Sequence, residues 1–243
     1  MWCVIPAAGK ATRLRAVTGG RPKALLPIGG LPLVAHLLDR LGPPIEHVCL
    51  VVGEGSDQVR AALGERWDHG RLHFVEQRKP LGVAHAVGLA RDLVRGPFLV
   101  AMGDSYFETS LAPFVEEWAA TSAVGAILLQ PASDRSGQAM GLVEVEEGRV
   151  TGIGKGRWDG RALWSVAGAM ILPPGFFPAL DRVTPAGSGE YELEDVVSRL
   201  LAEGLEFRAV RYAGWRRNVN TLADVEAVRE RLAGDVGRPT SGS

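Results

Sequence analysis

Short apolar runs alternate with stretches of helical period through the first two-thirds of the chain. Trp2–Ile5, His47–Val52, Leu72–Glu76, Phe98–Met102 and Val124–Gln130 are brief, rich in Val, Ile and Leu, and read as strands. Between them, Pro32–Leu41, Asp57–Leu63, Val83–Leu93 and Leu111–Ala120 repeat apolar residues at three and four positions and read as helices. Pro32 suits a first helical turn, where its missing N–H costs nothing, and Gly42-Pro43-Pro44 stops that helix. Alternating strands and helices predict an α/β fold with a mostly parallel sheet and helices on both faces.

The texture changes near Gly141. Gly141–Glu146 and Arg149–Ile153 flank Glu147-Gly148 and read as a hairpin. Leu163–Leu172 is a further strand, closed by Pro173-Pro174; Glu192–Ala202 has helical period, Leu205–Tyr212 reads as a strand and Leu222–Leu232 as the last helix. No internal repeat is visible. The organisation predicted is one domain over 1–233, with 1–130 and 131–233 as two functional parts, and a Gly/Ser/Pro tail over 234–243 expected to fray.

Composition narrows the classes. A formal charge of −1 argues against a general nucleic-acid or anionic-membrane binder. No apolar run approaches the roughly 20 residues that span a bilayer, and the start lacks a signal-peptide pattern, so a cytoplasmic protein is expected. Cys3 and Cys49 each sit inside an apolar run, which predicts buried reduced thiols. His36, His47, His69, His73 and His85 show no zinc-ligand spacing. Only four lysines stand against 23 arginines, and Lys10, Lys23, Lys79 and Lys155 all fall in or beside the segments singled out below.

The most informative segment is Ile5-Pro-Ala-Ala-Gly-Lys-Ala-Thr-Arg-Leu-Arg15, followed by Pro22-Lys-Ala-Leu-Leu-Pro27. An apolar strand runs into a small-residue turn at Ala7, Ala8 and Gly9, with Arg13 and Lys23 close behind. Small residues permit close approach, backbone amides meet phosphate oxygens, and fixed cations supply the remaining charge, so the segment points to a bound polyphosphate. It is neither a Walker loop, since G-x-x-x-x-G-K-[ST] is absent, nor a completed G-x-G-x-x-G dinucleotide fingerprint.

These residues resemble the signature of the sugar-1-phosphate nucleotidylyltransferases, with Ala11 where that family carries glycine. The resemblance implies a Rossmann-like, three-layer α/β/α fold with a mixed, mainly parallel sheet of the nucleotide-diphospho-sugar transferase type. It implies an enzyme that joins a nucleoside triphosphate, UTP or dTTP favoured, to a sugar-1-phosphate and releases pyrophosphate. Arg13 and Lys23 are then the catalytic cations, and Ala7, Ala8, Gly9, Gln77 and Gly82 join them in holding the nucleotide. Gln77 belongs to a second match that runs through Pro80-Leu-Gly-Val-Ala-His-Ala86; its carboxamide offers a donor and an acceptor to a pyrimidine edge. Asp104, in Met102-Gly-Asp-Ser105, ends an apolar strand at the carboxyl side where open sheets bind ligands. The resemblance makes Asp104 a Mg²⁺ ligand, with Asn220 of Asn218-Val-Asn-Thr221 as the second and preferred over Asn218; the same segment also suits a helix cap before Leu222.

Ser105, Gly141, Lys155 and Glu190 are assigned by the resemblance to the sugar-phosphate side. Gly154 stands where the family often has glutamate, which leaves the sugar open. The nucleophile needs no general base, because a phosphate monoester with a second pKa of about 6 is already mostly dianionic at neutral pH. Cytidylyl or guanylyl transfer, or a catalytically weak nucleotide-binding regulatory subunit, are the alternatives; a nicotinamide oxidoreductase is disfavoured by the failed fingerprint. The sequence leaves a homo-oligomer open and predicts no appended β-helix or acyltransferase domain.

Overall fold

The computed structural model describes residues 1–9, 14–64, 67, 69–133, 140–156 and 164–235. Four strands make a parallel half-sheet: β1 (Trp2–Ala7), β4 (His47–Val52), β5 (Arg71–Glu76) and β6 (Phe98–Ala101), in the order β5-β4-β1-β6. Between β1 and β4 lie a one-turn helix, α1 (Arg15–Thr18), and two two-residue strands, β2 (Pro27–Ile28) and β3 (Leu31–Pro32), paired as a small hairpin. The sheet continues past β6 through β11 (Trp164–Leu172), β8 (Gly125–Pro131), β12 (Phe207–Arg211), β10 (Arg149–Gly156) and β9 (Met140–Glu146), and β9 folds back to pair with β11. A separate two-strand ribbon joins β7 (Ser105–Phe107) to β13 (Arg216–Asn218).

The expectation of a mainly parallel sheet needs correction in the C-terminal half. β8 and β12 are parallel, but β11 runs antiparallel to β6, β8 and β9, and β10 runs antiparallel to β9 and β12. For β9 and β10 the cause is connection length. Glu147-Gly148, both at positive φ, joins β9 to β10 as a tight turn, and a parallel neighbour would require a crossover of a dozen or more residues.

Strand alternation sends side chains to two cores. Cys3 and Ile5 of β1 face α2 (Leu33–Leu38), α3 (Ser56–Leu63) and α5 (Ala112–Ala119). Val4 faces α4 (Val83–Gly88), α6 (Phe176–Leu180) and α7 (Leu193–Ala202). Burial pushes both thiols up, Cys49 to about 12, which leaves them inert. Most predicted helices are a residue to several shorter than their sequence period. α4 stops at Gly88, five residues early, and the chain runs on in tighter turns, the Ala90, Arg91 and Leu93 N–H groups donating to Val87, Gly88 and Ala90 O; Gly88 itself packs closely on α6, where a Cβ would lie 2.6 Å from Leu180 Cδ2. A third cluster, Leu14, Leu26, Ile28, Leu33, Tyr106, Val219, Val225 and Val228, binds the β2–β3 hairpin and β7 to the last helix, α8 (Leu222–Asp235). The predicted tail lies, from residue 236, outside the described residues.

Candidate active site

Parallel strands deliver their carboxyl ends to one edge. β1 and β4 are in register from Trp2↔His47 to Ala7↔Val52, so Ala7-Ala8-Gly9 emerge beside Gly53. A Cβ on Gly53 would lie 2.9 Å from Ala8 O, so this glycine lets the two loops touch. β5 ends at Glu76 and delivers Gln77; β6 ends at Ala101 and delivers Met102-Gly103-Asp104. Gly103 donates its N–H to Pro6 O at 3.2 Å, and a Cβ there would meet that oxygen at 2.8 Å.

Lys23 arrives on a one-turn 3₁₀ segment, Lys23–Leu25, anchored by buried Ala24 and Leu25 and by backbone bonds from Leu25 and Leu26 to Pro22 and Lys23. Asn220 arrives at the head of α8. There Asp224 accepts the Asn220 N–H at 3.0 Å and the Thr221 N–H at 2.8 Å, while Thr221 Oγ1 accepts the Asp224 N–H at 3.2 Å. This reciprocal cap is the one its sequence suggested. Burial pushes the Asp224 carboxyl up, and the bonds from Asn220, Arg217 and Thr221 outweigh it and hold the group below its ordinary value. Val219 N–H donates to Asp104 O at 2.8 Å and locks the two loops together.

The result is a three-residue focus. Lys23 Nζ donates to Asp104 Oδ2 at 3.0 Å and to Asn220 Oδ1 at 2.7 Å, although 81 and 197 residues separate it from them in the chain. The Lys23 side chain is 12% exposed and that of Asp104 30%. Two oxygens from separate loops thus meet at one cation-sized point. A carboxylate and a carboxamide are hard donors suited to Mg²⁺, which completes its shell with water and phosphate oxygens, so these residues fit the ion. Asn218 does otherwise: its Oδ1 accepts from Ser105 Oγ at 2.8 Å and from Arg216.

The focus lies on a cavity of about 380 Å³ lined by Ala7, Ala8, Gly9, Gln77, Gly82 and Glu190 as well as Lys23 and Asp104. Gln77 is buried, and its Nε2 is committed to Gly82 O at 3.1 Å and His85 Nδ1 at 2.9 Å. Burial pushes the His85 pKa down, and with the Gln77 Nε2 as donor the His85 Nδ1 is the acceptor of this bond. The carboxamide donor is therefore used, and among the described residues nothing donates to its oxygen. Arg13, together with Lys10 and Ala11, lies outside the described residues.

A second cavity of about 200 Å³ shares Val83 and Met102 with the first. Gly141 and Lys155 line it, paired across β9 and β10. Ser105 and Glu190 do not line this smaller cavity. Ser105 is fully buried, its hydroxyl bonded to Asn218 and Arg216 beneath the cavity floor, because β7 pairs Ser105 with Asn218. Glu190 is exposed and lines the larger cavity.

Two acids that sequence reasoning passed over line the smaller cavity instead. Glu192 Oε1 accepts from Lys155 Nζ at 2.5 Å, and Glu194 Oε1 sits 2.6 Å from where a Gly141 Cβ would be. Burial pushes the Glu194 carboxyl up; Lys155 opposes that, and Glu192 and Asp195 add to it. The alternating acids of Gly189-Glu-Tyr-Glu-Leu-Glu-Asp195 were the available signal. Arg216, which reaches Gln130 Oε1 at 3.3 Å, gave none, because its place depends on the β7–β13 register.

Residues 3–229 match the family model described as nucleotidyl transferase. The chain belongs to the nucleotidyl transferase family. Among curated relatives of this nucleotidyl transferase is UTP–glucose-1-phosphate uridylyltransferase AglF of Haloferax volcanii, 26% identical over 99% of this chain and 100% of that protein. Another is the glucose-1-phosphate thymidylyltransferase of Streptomyces griseus, 26% identical over 93% of this chain but only 64% of its own length. The fold matches that of a UDP-glucose pyrophosphorylase solved with UDP-glucose, at a TM-score of 0.84 and 19% identity over 96% of this chain and 98% of that one.

Proposed function

We propose that this nucleotidyl transferase joins a uridylyl or thymidylyl group to a sugar-1-phosphate. The observation that carries the reading is the meeting of Lys23, Asp104 and Asn220 at the wall of the larger cavity, with Lys155 in the cavity beside it. The nucleoside triphosphate takes the larger cavity and the sugar phosphate the smaller one. A sugar-phosphate oxygen forms a bond to the α-phosphorus, the bond from that phosphorus to the bridging oxygen breaks, and pyrophosphate leaves with the electron pair. Residues 1–130 serve as the nucleotide part and 131–233 as the sugar-phosphate part of one domain, on a Rossmann-like sheet covered by helices on both faces.

Such a reaction is limited by repulsion between anions and by charge on the leaving group, so positioning and electrostatics carry it. Lys155, oriented by Glu192, holds the incoming phosphate. Lys23 offsets charge at the α-phosphate, and Arg13 forks onto the departing phosphates. Mg²⁺ on Asp104 and Asn220 would supply the charge that neutralises both phosphate groups. Gln77, its amide committed to Gly82 and His85, presents an acceptor that suits the N3–H of uracil or thymine. Cytosine and adenine present an unprotonated ring nitrogen at that position, so this acceptor favours uracil or thymine over them.

The test is pyrophosphate release across a panel of triphosphates and sugar-1-phosphates with Mg²⁺. Turnover with UTP or dTTP is the expected result. Nucleotide binding without pyrophosphate release would replace the enzyme with a binding subunit.

Glu194 is the acid we assign to a sugar hydroxyl. Gly154 supplies no side chain and has open space around it, whereas Glu194 reaches the cavity over Gly141. Glu194→Gln is expected to raise KM for the sugar phosphate by roughly tenfold, the scale of one charge-assisted hydrogen bond, and to leave KM for the triphosphate unchanged. Equal changes in both constants would remove the assignment.

A further inference from the structure

We infer that Lys23 is a built-in competitor for the divalent ion, so that metal and triphosphate must bind together. The inference rests on the reading above that Asp104 and Asn220 hold Mg²⁺. The Lys23 ammonium already hydrogen-bonds the two oxygens the ion needs, at 3.0 Å and 2.7 Å. Mg²⁺ requires its oxygen ligands at about 2.0–2.1 Å, and an ammonium cannot share that point with it. The ion therefore enters only as the ammonium leaves.

The local charge makes the ammonium a match for the site. Asn220 is neutral, so the pair of oxygens carries the single negative charge of Asp104, and one ammonium balances it. A divalent ion arriving alone must strip Lys23 from both partners, in a setting where that side chain is mostly buried. A triphosphate changes the balance, because its oxygens give the displaced ammonium a new partner. The backbone need not move: Ala24 and Leu25 stay buried and the Leu26 N–H stays on Lys23 O at 3.0 Å, while only the four-carbon stem swings. Each ligand then raises the affinity for the other, as linkage requires, and the empty enzyme ignores free divalent ions. The same motion carries Lys23 from the metal oxygens to the phosphate it acts on.

The test is a titration of the purified chain with Mn²⁺ alone, read by the electron paramagnetic resonance of free Mn²⁺. Lys23→Leu keeps the apolar stem and deletes the charge; it is expected to bind Mn²⁺ about tenfold or more tightly than wild type, the scale of a lost charge-assisted bond. Lys23→Gln serves equally if the leucine variant fails to fold. Adding Asp104→Asn should erase the gain. Mn²⁺ binding no tighter in the Lys23 variants, or a gain that survives Asp104→Asn, would overturn the competition. Loss of the functional reading would appear elsewhere, as absence of pyrophosphate release from wild type, and the titration does not depend on it.

Discussion

Lys23→Ala lowers kcat by about 10²–10³-fold at saturating substrates, the range seen when one preorganised donor to developing charge is removed. The chain still folds, because the turn that carries Lys23 is held by buried Ala24 and Leu25 and by backbone bonds, not by the ammonium. On the proposed function, what disappears is the cation beside the α-phosphate of the transferred nucleotidyl group, and no other described lysine lines the larger cavity. A metal deficit cannot explain the loss, since removing the ammonium opens Asp104 and Asn220 to the ion. Tighter Mn²⁺ binding together with slower turnover is a combination that a structural role for Lys23 does not produce. Turnover within a few-fold of wild type would remove Lys23 from the chemistry.

The parts of this site legible in the sequence are those where local chain direction decides the outcome. Ala7-Ala8-Gly9 and Asp104 follow strands whose apolar character marks them as central and parallel, so their place at the carboxyl edge follows from topology. Lys23 stands out as a lysine in an arginine-rich chain, and Asn220 beside a recognisable cap. Residues set by non-local pairing were not legible. Ser105 follows Asp104 directly in the chain, yet β7 begins at it, and pairing with Asn218 turns its hydroxyl into the floor. Arg216 reaches Ser105 only because β11 bulges at Gly168, where φ is +74° and a Cβ would lie 2.7 Å from the Arg216 guanidinium. Glu190 and Glu194 illustrate the same limit: helix α7 starts between them, and a shift of four residues exchanges one cavity for the other.

Gly82→Ala combines a fold defect with a binding defect. Gly82 has φ +98° and ψ 174°, a region that only glycine occupies without strain. A Cβ there would lie 2.5 Å from Tyr191 O and 2.7 Å from Tyr191 N. Those two atoms already bond the loop on either side, since Tyr191 N–H donates to Leu81 O at 2.8 Å and Ala84 N–H donates to Tyr191 O at 3.0 Å. The added methyl therefore meets backbone that cannot rotate away, and stability falls by about 2–4 kcal/mol. The carbonyl of Gly82 also holds the Gln77 amide at 3.1 Å, so displacing the loop frees that side chain and raises KM for the triphosphate. Gly154→Ala is the matched control: nothing lies within 4 Å of its Cβ position and its φ is ordinary, so thermal unfolding should shift little. Thermal melts of the two variants beside wild type separate the cases, and a Gly82→Ala protein that melts with Gly154→Ala would show that the loop is not held as described.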